Sequence, residues 1–340
     1  MILLTIESTC DETAAALITD DLQVLGSAVA SQDQLHQRFH GVVPEIAARA
    51  HLERMLPVIQ LALERANLTL ADIGAVAVAN TPGLAGSLLV GLVAAKTLCV
   101  ALDVPLVKVN HLQAHLYACR LAFGAEVFPC VGLIVSGGHS SLYRCAGPTD
   151  FHLLGGTIDD AAGEAFDKVA AMLGLPFPGG PQVSKAAAQG NRKAYSFPRS
   201  FLNDPERLEF SFSGLKTAVR YQIVGPGKPD FSQLQLPPQQ VADLCASFEE
   251  AVVDCLVGKS LQALAKTNMN TLCVGGGVAA NRRLRDRLAE ALGAAGHQLY
   301  IAPMQLCTDN AVMGAIALER VREGLYEELD LDCVPGLVRK

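Results

Sequence analysis

The sequence predicts an α/β protein of two lobes, and three observations support that fold class. Short β-rich runs alternate along the chain with longer helical patterns, which is typical of sheets covered by helices. The alternation takes the same form twice, with consecutive strands followed by alternating helices and strands. The chain has 340 residues, and about 150 residues per domain gives about two domains.

The first series opens with three strands joined by polar turns. They are Ile2–Ile6, Ala14–Ile18 and Leu22–Ala30. A helix over Pro44–Asn67 follows, because its apolar residues recur at helical spacing on one face. The series ends with a strand, a helix, a strand and a helix, in the order Ala75–Ala79, Leu84–Leu102, Leu106–Val109 and Asn110–Phe123. Asn110 is the predicted N-cap of the last helix.

The second series again opens with three predicted strands. They are Cys130–Ser136, Ser141–Cys145 and Phe151–Leu154. A helix over Ala161–Leu173 ends at Gly174, and an irregular insertion rich in proline and polar residues follows near 190–238. The remaining elements are predicted as a helix, a strand, a helix, a strand and a helix, in the order Pro238–Thr267, Thr271–Val274, Ala279–Gly293, Gln298–Ala302 and Thr308–Glu323.

Composition excludes several classes of protein. A net charge of -7 argues against a generally basic nucleic-acid coat, and the lack of tryptophan argues against a surface of base-stacking aromatics. The ten cysteines form no C-x-x-C pair, so we expect buried, reduced thiols without a zinc ribbon.

The chain also carries no predicted targeting or membrane segment. Its N-terminus lacks a basic region, and the longest apolar stretch, Leu84–Ala95, is too short to span a bilayer. We expect a cytoplasmic protein with no membrane partner.

Two histidines one helical turn apart are the sharpest chemical signal. His111 and His115 lie on the same face of a predicted helix, so both imidazoles can reach one ion. Metalloprotease helices place a glutamate after the first histidine, and here that position is Leu112. A third ligand is needed, and Asp309 at a predicted helix start can supply it. Two histidines and a carboxylate leave coordination positions open, which suits zinc or ferrous iron.

Glycine-rich turns form the second signal, because several follow a strand and precede a helix. They are Thr81–Ser87, Ser136–His139, Gly155–Thr157, Gly179–Pro181 and Gly275–Asn281. Bare backbone N–H groups at such turns can hold a phosphate, and their number favours a nucleotide pocket. Neither a Walker A motif nor G-x-G-x-x-G is present, which disfavours the common NTPases and dinucleotide-binding proteins.

Three charged segments have both structural and functional interpretations. Glu7–Thr13 lies in the turn between the first two strands, and it is either a solvated hairpin loop or part of a site. Asp167 follows a run of acids that opens a helix, but it lies beyond the first turn, where capping explains acids less well. The basic run Arg282–Arg287 is either a solvated helix face or a local contact for nucleic acid, which Arg192, Lys193 and Arg199 would extend.

Several short motifs occur in a fixed order over nearly the whole chain, from about Ile6 to Ala317. They are Glu7–Thr13, Gly41–Ala47 with Arg49–His51, Asn110–His111 with His115, Ser136–His139, Asp159–Lys168, Phe210–Thr217, Gly275–Asn281 and Cys307–Asn310. Together they resemble the universal tRNA threonylcarbamoyltransferase family, which makes N6-threonylcarbamoyladenosine.

The resemblance implies the duplicated actin-like fold of sugar kinases, Hsp70 and actin, with two lobes and a central cleft. The first lobe would comprise residues 1–126 and 308–340, and the second residues 127–307 with the insertion. The implied enzyme, a tRNA N6-adenosine threonylcarbamoyltransferase, moves the threonylcarbamoyl group from threonylcarbamoyl-AMP to N6 of adenosine 37, in tRNAs that read codons beginning with A.

The resemblance also implies a set of site residues and partners. His111, His115 and Asp309 would bind one divalent metal ion per subunit, with iron preferred to zinc. The donor site would be lined by Ile134, Val135, Ser136, Gly137, Gly138, Asp167, Gly180 and Asn281. Asp11 and Glu12 would be the catalytic carboxylates, with the choice of base between them left open. Implied partners are tRNA and helper subunits, which in a bacterium are an inactive paralogue and a small ATPase.

The chain departs from the usual family pattern at two positions, and a third position varies within the family. Thr81 stands where glycine is usual before Pro82, which leaves the geometry of that turn open. Ser140 replaces the usual threonine and keeps its hydroxyl. Ser184 lies where some members have an acidic substrate contact, so it is not assigned to the site.

Other functions remain to be weighed. One is an actin-like carbamoyltransferase or kinase that acts on a small-molecule acceptor, although 340 residues leave no room for the extra domains of large carbamoyl-transferring relatives. Another is a metal-free scaffold paralogue, which the two histidines and Asp309 argue against. A metallopeptidase lacks its helix glutamate here.

Overall fold

The structure is a computed structural model, and it describes residues 1–39, 41–124, 126–225 and 236–336. The chain divides into two compact units: unit 1 comprises residues 1–125 and 308–340, and unit 2 comprises residues 126–307. Two parts of the predicted lobes, residues 226–235 of the insertion and residues 337–340, lie outside the described residues.

Each unit has its own mixed five-stranded sheet. The strands of unit 1 are β1 (Ile2–Glu7), β2 (Glu12–Thr19), β3 (Val24–Ser31), β4 (Ala75–Thr81) and β5 (Leu106–Asn110), and those of unit 2 are β6 (Cys130–Val135), β7 (Ser140–Cys145), β8 (Phe151–Gly156), β9 (Thr271–Gly275) and β10 (Gln298–Ile301). Their spatial order is β3-β2-β1-β4-β5 in unit 1 and β8-β7-β6-β9-β10 in unit 2.

The strand directions also repeat. In each sheet the first three strands of the unit pair antiparallel, and the last two continue the sheet in parallel from the first strand. The predicted α/β class and its repeated series are therefore confirmed.

Ten helices lie within the described residues. They are α1 (Asp33–His36), α2 (Pro44–Ala66), α3 (Ala85–Leu102), α4 (His111–Phe123), α5 (Ala162–Met172), α6 (Gly179–Ala187), α7 (Ser213–Val224), α8 (Pro238–Thr267), α9 (Arg282–Ala295) and α10 (Ala317–Arg322). Short 3-10 segments add Gln37–Phe39, Leu70–Asp72, Gly277–Ala280, Met304–Leu306 and Ala311–Ile316.

Alternation along β1 shows how the unit 1 sheet is covered on both faces. Leu4 and Ile6 belong to the apolar core formed with α2 and α3. Thr5 points the other way, and its hydroxyl donates to the carbonyl of Ala311. A strand covered on both faces must be apolar at successive positions, which explains the nearly unbroken apolar run of β1.

The sequence missed or misplaced several helices. The predicted turn Gly179–Pro181 is instead the first turn of helix α6. Proline is tolerated there because the first N–H groups of a helix have no partner within it. The predicted helix Ala279–Gly293 is a 3-10 segment followed by α9, and Asn281 separates them.

The predicted final helix Thr308–Glu323 is also divided. A 3-10 segment over Ala311–Ile316 leads into α10. Its N-cap is Asn310, whose side chain accepts from the backbone N–H of Met313.

The predicted irregular insertion is only partly irregular. It contains helix α7, and its described extended part is held to α8 by side chains. The buried Lys259 donates to the backbone carbonyl of Asp204 at 2.8 Å, and Arg199 pairs with Asp254 at 2.9 Å. Loop carbonyls bound in this way can pack without belonging to a sheet.

Helix α3 is the one described helix long and apolar enough to cross a bilayer, with 18 residues and a mean hydropathy of 2.0. The helix is longer than Leu84–Ala95, the apolar stretch identified in the sequence. Residues that include Leu88, Leu92 and Ala95 are nevertheless buried in the unit 1 core, and a core helix of a globular domain has the same composition.

Candidate active site

The predicted metal-binding residues come together in unit 1. Asn110 caps α4 by accepting from the backbone N–H groups of Leu112 and Gln113, as predicted, and this places His111 in the first turn. His115 lies one turn later, and its Nε2 is 3.2 Å from Nε2 of His111.

Asp309 reaches the same point from the other end of the chain. Its Oδ1 lies 3.1 Å from His115 Nε2 and 3.4 Å from His111 Nε2. Asn310 caps the 3-10 segment that follows, and the hydroxyl of Thr5 in β1 holds the carbonyl of Ala311. The carboxylate is therefore anchored to the central strand of the sheet.

The chemistry of this group fits a metal ion. Each of the three side chains offers one donor atom, and the three atoms lie within 4.8 Å of one another. Burial lowers the pKa of His111, but the nearby Asp309 and Glu7 outweigh it and raise that pKa well above its usual value. Burial raises the pKa of Asp309, but the two histidines outweigh it, so the carboxyl stays ionised. Two imidazoles and one carboxylate suit a divalent transition metal.

The turn Glu7–Thr13 is not a solvated hairpin loop, because buried partners hold it at several points. The carbonyl of Cys10 accepts from His51 Nε2 at 3.0 Å and from the Ser87 hydroxyl at 3.3 Å. Since a carbonyl only accepts, His51 carries its proton on Nε2, and its Nδ1 accepts from the Thr13 hydroxyl at 2.8 Å. Burial lowers the pKa of His51, which keeps it neutral. Sequence reasoning matched the His51 motif without finding this role.

The two predicted catalytic carboxylates, Asp11 and Glu12, lie in this turn, where burial and neighbouring negative charge disfavour their ionised forms. Burial, and then the charge of Asp309, raise the pKa of Glu12 to about 10. Burial also raises the pKa of Asp11. Their carboxylate oxygens and that of Asp33 lie within 4.8 Å of one another. Glu12 therefore carries a proton at neutral pH, which is consistent with a proton shared by the pair.

In unit 2, the glycine turn after β6 exposes backbone donors. Ile134 and Val135 are buried at the end of the strand, and Ser136 begins the turn. Gly137 and Gly138 are exposed, and their backbone N–H groups have no acceptor among the described residues. A Cβ added at either glycine would meet nothing within 4 Å. Free N–H groups beside open space are a feature of anion-binding turns.

Neighbouring glycines of unit 2 serve packing instead. A Cβ on Gly163 would lie 2.6 Å from the Ser136 carbonyl oxygen, and one on Gly276, at φ +94, would lie 2.4 Å from that of Val135. These contacts pack α5 and the loop after β9 against the turn. The glycine-rich turns thus separate into open and tightly packed positions.

The other predicted donor-binding residues of unit 2 have internal partners. Asp167 Oδ1 accepts from the backbone N–H of Gly179 at 2.7 Å, beside Gly180. Asn281 caps α9 with its oxygen, which accepts from Leu284 N–H at 2.9 Å. Asn281 Nδ2 donates to Ser184 Oγ and to Glu249 Oε1, at 2.9 and 2.8 Å.

Glu249 was not found from the sequence. It is buried on α8, 32 residues before Asn281, and it also accepts from the Ser184 hydroxyl at 2.8 Å. The sequence offers only two adjacent glutamates, Glu249 and Glu250, within a long helix, and nothing local distinguishes one from the other.

The arginine run on α9 is mostly paired within unit 2. Arg283 and Arg287 each donate to Glu250 at 2.7 Å, and Arg285 donates to the carbonyl of Ala279 at the same distance. Only Arg282 among the four is highly exposed, at 94%. Three of the four arginines therefore have partners within unit 2, so the run is more than a solvated helix face, and its interpretation as a nucleic-acid contact stays a prediction.

The thiols agree with the sequence prediction. No disulfide joins any of the ten cysteines, all of which lie within the described residues, and all but Cys10 and Cys333 are buried. None belongs to a group of described residues able to hold a metal ion.

The fold defines a class: an α/β protein of the duplicated actin-like kind, carrying a two-histidine, one-carboxylate group. Two solved structures support the fold. The chain matches full-length HypF in its phosphate- and nucleotide-bound form with a TM-score of 0.60 and 14% identity, covering 94% of this chain and 46% of that one. It matches component A of (R)-2-hydroxyglutaryl-CoA dehydratase from Acidaminococcus fermentans with a TM-score of 0.53 and 14% identity, covering 95% and 99%.

Sequence comparison identifies the family within this class. The sequence model of the tRNA N6-adenosine threonylcarbamoyltransferase family matches residues 23–316. Proteins of that name from Rhodopirellula baltica and Symbiobacterium thermophilum are 60% and 50% identical to this chain. The matches cover 99% of this chain in both cases, and 97% and 96% of the relatives. The chain belongs to the tRNA N6-adenosine threonylcarbamoyltransferase family and is a transferase.

Proposed function

We propose that this protein transfers the threonylcarbamoyl group from threonylcarbamoyl-AMP to N6 of adenosine 37, in tRNAs that read codons beginning with A. The proposal rests on family membership together with one observation, the convergence of His111, His115 and Asp309 on one point of unit 1. A metal-free scaffold has no need of two imidazoles directed at one carboxylate.

We assign the three side chains to one divalent metal ion, and we prefer iron to zinc. When bound, the ion supplies a Lewis acid with open positions for oxygen ligands. The chain contributes two imidazole nitrogens and one carboxylate oxygen, all fixed by α4 and by the segment after Asp309.

Unit 2 is assigned to the donor. The N–H groups of Gly137 and Gly138 are positioned to hold an anionic group, with Ile134 and Val135 at the end of β6 and Ser136 at the start of the turn. Asp167, Gly180 and Asn281 complete the assigned set. Stabilising the charge that develops on a leaving phosphate is the main catalytic task, because the donor is already an activated anhydride.

The reaction forms a bond between N6 of adenosine and the carbamoyl carbon, and it breaks the bond from that carbon to the AMP oxygen. AMP leaves with the bonding electron pair, and N6 loses one proton. We assign Asp11 as the general base that accepts this proton. Its raised pKa makes it a stronger base than an ordinary aspartate. Glu12 is protonated at neutral pH and is assigned as a hydrogen-bond donor rather than the base.

The partners follow from the same assignment. The acceptor is tRNA, with the adenine turned outward to expose N6. We assign helper subunits as further partners, which in a bacterium are an inactive paralogue and a small ATPase, and we assign the protein to the cytoplasm.

A reconstituted transfer assay tests the proposal. The protein is incubated with its helper subunits, threonine, bicarbonate, ATP, a donor-forming enzyme and a tRNA transcript, and the nucleosides are measured by mass spectrometry. We expect modified adenosine from the transcript with A37 and none from the same transcript with G37. His115→Ala should abolish the product, and His152→Ala, which changes an exposed histidine of β8, should not. Carbamoylation of a small molecule instead of tRNA would contradict the proposal.

A further inference from the structure

Glu7 is a buried carboxylate whose two oxygens are both used. It ends β1 and is 3% exposed. Its Oε1 accepts from the backbone N–H of Thr9 at 2.7 Å, and its Oε2 lies 3.0 Å from Nδ1 of His111. A buried carboxylate between two donors is far less costly than one left without partners.

This contact determines which nitrogen of His111 carries a proton. An ionised carboxylate can only accept, so Nδ1 of His111 must donate to Glu7. The Thr9 hydroxyl, 3.2 Å from the same Nδ1, is a second acceptor within reach. In the neutral imidazole the lone pair is then on Nε2, the atom that faces His115 and Asp309.

The other histidine has no such support. Nδ1 of His115 is buried and has no hydrogen-bond partner among the described residues. Its ring is oriented by packing on α4 and by the contact of Nε2 with Asp309. The two imidazoles are therefore held by different means, one by a carboxylate and one by the helix.

We propose that Glu7 is a positioning residue for the metal centre, fixing the tautomer and ring orientation of His111 and increasing its basicity as a ligand. This inference rests on the metal assignment made under the proposed function. Carboxylates behind a histidine ligand act in this way in metal sites generally, and losing one typically lowers metal affinity about 10–100-fold.

Glu7 also links the metal group to the catalytic turn. Its second oxygen holds the N–H of Thr9, two residues before Asp11. A glutamine at position 7 has one oxygen and one NH₂ group, so it can satisfy His111 or Thr9 but not both. Glu7→Gln therefore places a donor against a donor at nearly unchanged volume.

Metal affinity is the deciding measurement, because it does not depend on activity. Zinc and ferrous dissociation constants are measured by chelator competition for the wild type, Glu7→Gln, and the control Glu53→Gln, which changes an exposed glutamate of α2. We expect Glu7→Gln to bind zinc about 10–100-fold more weakly than the wild type and Glu53→Gln to match it. AMP binding to unit 2 should be unchanged in both variants.

A second measurement covers the case in which Glu7→Gln does not fold. Nitrogen NMR of the zinc-loaded wild type should show His111 protonated on Nδ1. A proton on neither nitrogen or on Nε2, or equal zinc affinity in a folded Glu7→Gln, would overturn the inference. A wild type that binds no divalent metal would instead overturn the metal assignment, so the two failures are distinguishable.

Discussion

The two units place opposite chemistries at the same point of one topology. In unit 1 the turn between the first two strands carries Glu7, Asp11 and Glu12, all partly or fully buried. In unit 2 the equivalent turn, between β6 and β7, carries Gly137 and Gly138 with exposed N–H groups. The carboxylates of the unit 1 turn favour cations and bound protons, whereas the N–H groups of the unit 2 turn favour anions. The repeated sheet thus fixes where a site lies, and the turn residues decide its chemistry.

The largest expected effect comes from removing the carboxylate of the metal group. Asp309→Asn replaces a charged ligand with a neutral amide between two histidines. We expect metal affinity to fall by more than the roughly 10–100-fold typical of outer-shell changes, and transfer activity to be abolished. Metal content by mass spectrometry and the nucleoside assay measure both.

Asp330→Asn, at an exposed position of unit 1, is the matched control and should bind metal like the wild type. Full metal occupancy in Asp309→Asn would show that the cation chemistry of unit 1 lies elsewhere.

The next effect tests the anion-binding turn of unit 2. Gly137→Ala adds a methyl group into open space, so the folded state should lose little stability while AMP binding weakens about tenfold, or ~1.4 kcal/mol. Gly163→Ala places its methyl 2.6 Å from a backbone oxygen and should lower the free energy of unfolding by about 1–3 kcal/mol.

Calorimetric titration with AMP and urea unfolding separate the two glycines. If Gly137→Ala proved the more destabilising of the two and bound AMP normally, the turn would be structural.

A smaller effect, with a defined pH dependence, concerns Glu12. Its pKa in the folded protein is about 10, against about 4.3 in an unfolded chain, so between these pH values the folded state holds a proton that the unfolded state releases. The free energy of unfolding therefore falls as pH rises through this range. Glu12→Gln mimics the protonated form and removes that penalty.

We expect Glu12→Gln to raise the Tm at pH 8 more than at pH 5, by about 2–4 °C for each kcal/mol recovered, while slowing transfer. Differential scanning calorimetry at the two pH values checks it. An unchanged or lowered Tm at pH 8 would mean that Glu12 is ionised in the folded protein.

The contrast between the units also shows what a sequence can predict. Helical spacing placed His111 and His115 on one face, and alternating elements predicted both sheets, because these patterns report neighbours within one element. The contact between Glu7 and His111 spans 104 residues, and that between Asn281 and Glu249 joins two helices. The periodicity of residues within one element does not predict contacts between residues so far apart in the chain.

The same limit explains the arginine run. Four basic residues in six positions suggest an open, charged surface. Glu250, the partner of Arg283 and Arg287, lies on another helix, where nothing in the local sequence marks it as a counter-ion. For the same reason helix α7 was missed, since its neighbours in sequence are proline-rich and polar while its buried Leu215 and Val219 are few.

The smallest expected effect tests that arginine cluster directly. Glu250 is 13% exposed and accepts from Arg283 and Arg287, which hold its pKa below the usual value although burial acts to raise it. A carboxyl with a lowered pKa stabilises the fold above its unfolded pKa, and this contribution is lost as pH falls through the folded value. At pH 7 we expect Glu250→Gln to lower the free energy of unfolding by about 1–2 kcal/mol, and by less near pH 4.

Glu290→Gln, which changes an exposed carboxylate 3.7 Å from Arg287, should cost only about 0–0.5 kcal/mol, because solvent screens that pair. Urea unfolding at both pH values measures these differences. If the two variants were equally stable and Glu250→Gln bound tRNA more tightly, the arginines of unit 2 would instead form a nucleic-acid surface whose affinity Glu250 lowers.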